Sequence, residues 1–105
     1  MNIDVRSESV VYGCIKNIAS GELIQQRRSN RDAMQALPSA ETWSLVNREM
    51  FSLTEPGATD LSLATEVVHF GASYQGVEHE WTYWLEQFES LLRKMYWVSA
   101  TVHLE

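Results

Sequence analysis

Cysteine and long apolar runs are both scarce in this chain. Cys14 is the single cysteine among 105 residues, so the chain cannot form an internal disulfide and requires no oxidising compartment. No apolar run approaches the roughly 20 residues of a membrane-spanning helix. Residues 1–6 carry neither the basic nor the apolar stretch of a secretory signal. These absences predict a cytoplasmic protein that has no membrane partner.

Positive charge is also in short supply. Eight Lys and Arg residues stand against 14 Asp and Glu residues, which gives a formal net charge of -6. Nucleic acids and anionic membranes reward clustered basic residues, so the charge disfavours both as partners. A basic protein partner is compatible with it.

The sequence lacks the common motifs of catalytic and metal sites. It contains no GxSxG elbow, no P-loop and no GxGxxG turn. The candidate ligands Cys14, His69, His79 and His103 are not spaced like zinc ligands, and the run around His79 is not an HExxH motif. We therefore predict no catalytic residue, no cofactor and no metal.

The clearest periodic segment predicts a helix from Val77 to Met95. Acidic residues lie near its N-terminal end and basic residues near its C-terminal end, in the order that the helix dipole favours. Its apolar residues recur at spacings of three and four, which places them on one stripe: Trp81, Trp84, Leu85, Phe88, Leu91, Leu92 and Met95. We expect this stripe, both tryptophans included, to lie in the core.

Alternation with a period of two predicts strands in three other segments. They are Ser9–Lys16, Leu63–Tyr74 and Tyr96–Leu104, all of them rich in β-branched or aromatic residues. A short apolar run at Met50–Thr54 is predicted to pair with the second strand across a loop at Glu55–Asp60.

The first half of the chain predicts a second helix. It covers residues 22–37 and is ended by Pro38. Residues 39–47 allow two interpretations, a further helical turn capped by Ser39 or the beginning of the next strand. The resulting order is βαββαβ, the ferredoxin-like pattern. We therefore expect one α+β domain over residues 1–105, a two-layer sandwich with two helices on one face of an antiparallel sheet.

Such a sandwich leaves the other face of its sheet open. The alternation assigns His69, Trp97 and His103 to that face, where a partly aromatic surface is typical of a contact with a partner, a second copy or a small ligand. A solvated face is the simpler alternative. Glu66 falls on the opposite side of its strand from His69, which weakens the case for a catalytic triad on this face.

Two charged groups are further candidates for binding. Acidic residues near the later helix could occupy the basic site of a partner protein and steer its association: Glu78, Glu80, Glu86 and Glu89. A basic group in the earlier helix could bind a phosphate or a carboxylate: Arg27, Arg28 and Arg31. Each group is more simply explained as a solvated helix face.

Two sets of residues carry a resemblance to known proteins. The first set is His69–Tyr74, Glu80-Trp81, Trp84, Phe88-Glu89, Leu91-Leu92, Tyr96-Trp97-Val98 and His103-Leu104-Glu105. The second set is Asn30–Met34, Leu37-Pro38 and Met50-Phe51. Together they resemble small uncharacterised bacterial proteins, some of them associated with immunity to secreted toxins. The resemblance implies stoichiometric binding to a toxin and no catalytic residue.

Two main functions of different classes follow from the sequence. The first is a stoichiometric protein-binding module, in its sharpest form an immunity protein that occludes the site of a basic bacterial toxin. The alternative is a small homodimeric domain, ligand-binding or enzymatic, that pairs through the open sheet face. A structural subunit of a larger assembly is a third hypothesis, for which the sequence offers no distinguishing feature.

Overall fold

The computed structural model describes residues 8–18, 23–52 and 65–105. Over these ranges the chain is α+β, with three strands that form an antiparallel sheet in the order β2–β1–β3 and two α-helices. The elements in chain order are β1 (Glu8–Ile18), α1 (Leu23–Gln35), β2 (Thr65–Gln75), α2 (Trp81–Leu92) and β3 (Ser99–Leu104).

One face of the sheet is covered and the other is open. Val11 and Ile15 of β1 are buried on one face of the strand, and along most of β1 buried residues alternate with exposed ones. Val68 and Phe70 of β2 are buried on the same side. The residues that alternate with them along β2 and β3 are exposed, which confirms the faces predicted for these two strands from period-two alternation.

Both helices contribute to the core that lies on the covered face. Met34 of α1 is buried there, and α2 adds Trp84 and Phe88, whose rings stack with centroids 5.1 Å apart. Trp84 is 0% exposed and Trp81 is partly buried against it, as the helical stripe predicts. The arrangement fits a two-layer sandwich of helices on a sheet.

The tryptophan-rich helix is shorter than the predicted Val77–Met95. A 3-10 turn occupies Val77–Glu80, and the α-helix that follows ends at Leu92. The chain enters this turn through Gly76, whose φ of 72° is a left-handed conformation that glycine adopts without a steric cost. The apolar periodicity extends beyond the α-helix at both ends because Val77 and Met95, which lie outside it, are also buried.

The last strand is also shorter than predicted. It begins at Ser99 and not at Tyr96, because the Tyr96 N–H donates to Oδ1 of Asn30 at 2.7 Å and is withdrawn from the sheet. Val98, the residue before this strand, is exposed.

The segment after α1 turns twice before it reaches the sheet. The hydroxyl oxygen of Ser39 accepts the N–H of Glu41 at 3.2 Å and caps a 3-10 turn at Ala40–Thr42. A helical turn capped by Ser39 is therefore present, but it ends at Thr42, and residues 43–47 form neither helix nor strand. A second 3-10 turn follows at Arg48–Met50.

A short stretch of chain at Phe51 and Ser52 pairs with the outer edge of β2. Phe51 forms an isolated antiparallel bridge with Phe70, and the Ser52 N–H donates to the carbonyl of His69 at 2.9 Å. The predicted strand at Met50–Thr54 is described as far as Ser52, and its first residue, Met50, belongs to the preceding 3-10 turn. Its remainder and the predicted loop at Glu55–Asp60 lie outside the described residues.

Gly13 permits a close approach between β1 and its neighbours. A Cβ atom at this position would lie 1.8 Å from the Thr101 carbonyl oxygen and 2.9 Å from Cζ of Phe70. A Cβ atom at Gly71, in β2, would meet nothing nearer than Cβ of Tyr12 at 3.7 Å. The sheet therefore requires glycine at position 13 and tolerates a side chain at position 71.

We predict that Gly13→Ala lowers the free energy of unfolding by about 2 kcal/mol or more, because the backbone of β3 must move to admit the methyl group. Gly71→Ala is the matched control and should change it by less than about 1 kcal/mol. Urea unfolding followed by tryptophan fluorescence measures both. Equal losses for the two variants would show that the approach of β3 to Gly13 does not limit the stability of the sheet.

Candidate functional site

The outward side of α2 carries most of the acidic candidates. Glu86 and Glu89 are exposed on the helix, and Glu80 is exposed on the turn before it. Tyr83 is 54% exposed and lies on the same outward side. We call these four residues the α2 surface. Glu89 lies 3.9 Å from Nη2 of Arg93, an exposed pair that contributes little to stability.

Glu78 is held apart from the α2 surface by a contact with the sheet. The hydroxyl of Ser9, a buried residue of β1, donates to Oε2 of Glu78 at 2.6 Å. This hydrogen bond, followed by the backbone N–H of Glu78 itself, lowers the pKa of the carboxyl group below its ordinary value. Glu78 therefore has a structural role, since it ties the turn before α2 to β1.

Trp43 is a candidate that the sequence did not reveal. Its side chain is 93% exposed, and its backbone is left-handed with a φ of 63°. That conformation costs a residue other than glycine about 1 kcal/mol. The carboxylate of Glu49 supports the turn before it, accepting the Ala40 N–H at 2.7 Å and the Ser39 hydroxyl at 2.9 Å. These bonds, the one from Ala40 first, lower the pKa of Glu49.

Hydrogen bonds fix the segment after Trp43 against α2. The Val46 N–H donates to Oε1 of Gln87 at 3.1 Å. The Tyr74 hydroxyl donates to the Leu45 carbonyl at 2.5 Å and accepts the indole N–H of Trp84 at 3.0 Å. Burial raises the pKa of that hydroxyl, so it stays protonated as a donor. Trp43 therefore precedes a segment that is anchored beside the α2 surface.

The open face of the sheet holds both predicted histidines. His69 of β2 and Thr101 of β3 flank Cys14 in the register of the sheet, and His103 stacks on Tyr12 with ring centroids 5.0 Å apart. The Tyr12 hydroxyl donates to Oε1 of Glu105 at 3.0 Å, which raises the pKa of the tyrosine. The histidines line neither of the grooves beside α2 nor the cleft beside Glu8.

Trp97 lies on the helix side of the sheet, so its predicted place on the open face is wrong. Its indole N–H donates to the carbonyl of Leu92 at 3.0 Å. The last carbonyls of a helix lack partners within it and accept such donors. Because Trp97 precedes Ser99, the first residue of β3, the alternation of the strand does not govern it.

Trp97 forms one wall of a groove between α2 and β3, which we call the α2–β3 groove. Its volume is about 470 Å³, and Glu89 and Arg93 border an otherwise apolar lining. The apolar residues that line it are Leu85, Phe88, Leu92, Trp97, Ala100 and Val102.

The three arginines of α1 do not form one exposed group. The Nε atom of Arg27 lies 3.7 Å from Oε2 of Glu66, with both side chains largely buried, so this arginine joins α1 to β2. Arg31 is half-buried and is also engaged in an interaction. Arg28 is exposed. Anion binding by this group stays a prediction, and Arg28 is the member that faces solvent.

Neither the described structure nor the known proteins assign a metal site, a membrane helix or a family to this chain. Across the ranges that the structure describes, no three His, Cys, Asp or Glu side chains are placed to hold a metal ion. No helix in those same ranges has the length and apolar character needed to cross a membrane. Comparison with family models, curated proteins and solved structures finds no match to this chain.

We predict that Ser9→Ala raises the pKa of Glu78 toward its ordinary value of 4.5, because the hydroxyl is the main cause of its depression. A depressed pKa stabilises the fold above the unfolded value, and this stabilisation is lost as the pH falls through the folded value. The stability difference between wild type and variant should therefore be constant above about pH 5 and shrink below it.

Two measurements check this prediction. Titration of the Glu78 side chain by NMR gives its pKa, and urea unfolding at several pH values gives the stability difference. Ser73→Ala, on the exposed side of β2, is the control and should leave the Glu78 titration unchanged. A Glu78 pKa that is the same in wild type and Ser9→Ala would contradict the assigned cause.

Proposed function

We propose that this chain is a stoichiometric protein-binding module that covers the functional site of a basic partner protein. The observation that carries the proposal is the α2 surface, where exposed carboxylates lie on the same side of the helix as the exposed ring of Tyr83. The exposed Trp43 precedes the segment whose Val46 N–H is hydrogen-bonded to α2. Tryptophan and tyrosine are the side chains that most often anchor protein interfaces. Carboxylates around them select a basic partner and speed its association.

The fold does not depend on the side chains of Glu80, Glu86 and Trp43. No ion pair within the described part of the chain engages Glu80 or Glu86. Trp43 is almost fully exposed and is kept in a left-handed conformation at a cost in energy. A single exposed aromatic residue is ordinary on a protein surface, but Tyr83 on an acidic helix face, together with Trp43 on a nearby segment of the chain, favours a binding role.

We propose further that the partner is a bacterial toxin and that the chain gives immunity to it in the cytoplasm. Such a role requires occlusion alone, in which the α2 surface neutralises basic groups at the toxin's site and the aromatic rings exclude water. This fits the absence of recognised catalytic motifs in the sequence. It also fits the net charge of -6, which attracts a basic protein over long range.

The sheet supports a finer proposal about architecture. In a ferredoxin-like βαββαβ fold the strands lie in the spatial order 4-1-3-2. The described strands β3, β1 and β2 match positions 4, 1 and 3 of that order. The bridge between Phe51 and Phe70 lies at the position of the remaining strand. We propose that the chain after Met50 completes this four-stranded sheet.

The second candidate function is a homodimeric ligand-binding or enzymatic domain that uses the open sheet face. The stack of Tyr12 on His103 and the exposed side chains of Ile18 and Val67 favour it. The loss of Trp97 from this face, however, removes the largest side chain that the hypothesis relied on.

The experiment that tests the first proposal takes its toxin candidates from the products of the genes that neighbour the one for this chain. We expect nanomolar binding that weakens as salt is added, because charge contributes to association. Tyr83→Ala and Trp43→Ala should each weaken binding by roughly 30-fold, about 2 kcal/mol. Calorimetry measures both, and growth of cells that co-express the two proteins measures protection.

Tyr96→Ala is the matched control for Tyr83→Ala. The two residues are 51% and 54% exposed, but the backbone of Tyr96 is bound to α1 through Asn30 and Tyr96 is not part of the α2 surface, so its removal should leave binding unchanged. Equal losses for the two tyrosines would overturn the assignment of the α2 surface. Toxicity that persists in spite of co-expression would overturn the immunity proposal for this toxin.

A further inference from the structure

The outer edge of β3 pairs with no strand among the described residues. In the order β2–β1–β3, no described strand pairs with the side of β3 that faces away from β1. Natural proteins commonly block such edges with lysine, proline or inward-pointing charges. The strand Ser99–Leu104 contains none of lysine, arginine, proline or an acidic residue. Its free edge is therefore a template for the addition of another strand.

The hydrogen bonds between β1 and β3 identify the backbone groups that face outward. Val10 and Glu105 exchange both of their N–H···O=C bonds, at 2.7 and 2.9 Å. Bonded pairs alternate along an antiparallel ladder, so Thr101 and His103 also point toward β1. The residues whose N–H and C=O groups point away from β1 are Ala100, Val102 and Leu104.

These outward-facing residues also combine a space with an apolar side chain. Ala100 and Val102 line the α2–β3 groove, and Ala100 has the smallest side chain of the groove's lining. Leu104 lies on the same side of the strand by alternation and is 37% exposed. The edge therefore offers both a recess and a side chain of a size to occupy one.

We propose that the chain forms a two-fold homodimer through the outer edge of β3, with Val102 opposite its own copy. In this register Ala100 lies opposite Leu104 of the second copy, and the two-fold axis repeats that pair. All the outward-facing N–H and C=O groups of the three residues form hydrogen bonds. Leu104 of each copy covers Ala100 of the other and extends toward its groove.

Charge permits this register although each chain carries a net charge of -6. On the open face Ser99 lies opposite Glu105, and Thr101 lies opposite His103. No two like charges therefore face each other directly, which is what a stable antiparallel pair requires. The neighbouring register, with Thr101 on the axis, places Leu104 opposite residue 98, before the start of β3, and leaves it without that recess.

Sedimentation velocity tests the surface. The full chain should sediment as a dimer at micromolar concentration. Leu104→Lys should raise the dissociation constant at least roughly tenfold, because the dimer buries two such leucines. Val10→Lys is the matched control, since Val10 is also 37% exposed but lies on the open face, and it should sediment like wild type.

Two results of sedimentation would overturn the proposal. The first is a wild-type chain that is monomeric throughout this concentration range. The second is a dimer that dissociates in Val10→Lys and persists in Leu104→Lys, because that result assigns the contact to the open face. Thermal melting of each variant by circular dichroism ensures that a loss of dimer is not a loss of fold.

Disulfide cross-linking tests the register in a Cys14→Ser background. Val102→Cys places two Cα atoms about 5.5 Å apart across the axis, within the reach of a disulfide. It should form a covalent dimer on mild oxidation. Thr101→Cys lies off the axis, with its Cα atoms too far apart to bridge, and should not. Cross-linking of Thr101→Cys in place of Val102→Cys, or of neither, would overturn the proposed pairing.

Discussion

One buried amide holds the layers of this protein together. Asn30 of α1 is 1% exposed, and its Nδ2 donates to Oε1 of Glu66 at 3.1 Å and to the Tyr96 carbonyl at 2.9 Å. Its Oδ1 accepts the Tyr96 N–H at 2.7 Å. A buried amide without partners would cost about 1–3 kcal/mol for each polar group. With these three hydrogen bonds formed, the Asn30 amide joins α1 to β2 and to the segment that leads into β3.

The shape of the free edge follows from that amide. Because Asn30 binds both backbone groups of Tyr96, the chain cannot enter the sheet there, and it continues as Trp97 against the end of α2. The strand then begins at Ser99, with a groove between it and α2 and with an outer side that no strand in the described ranges covers. The proposed dimer surface beside α2 therefore depends on a polar contact made by the other helix, α1.

The two proposed contacts use different parts of the molecule. The α2 surface points away from the sheet and combines carboxylates with the exposed ring of Tyr83, which suits a basic protein. The edge of β3 offers backbone groups and an apolar recess, which suits another strand. Glu89 borders both regions, since it belongs to the α2 surface and lines the rim of the groove. A dimer would in that case present two α2 surfaces to its partners.

The sequence by itself determined the elements and their buried sides. Period-two alternation assigned His69 and His103 to the open face, and the helical stripe assigned Trp84 to the core, because inside a regular element local spacing sets the face of each residue. Tertiary structure alone decided the side taken by Trp97, the pairing of Arg27 with Glu66 and the exposure of Trp43. These residues lie in turns or bind residues that are distant in the sequence, as Asn30 and Tyr96 also do across 66 residues. Their surroundings therefore depend on which elements meet.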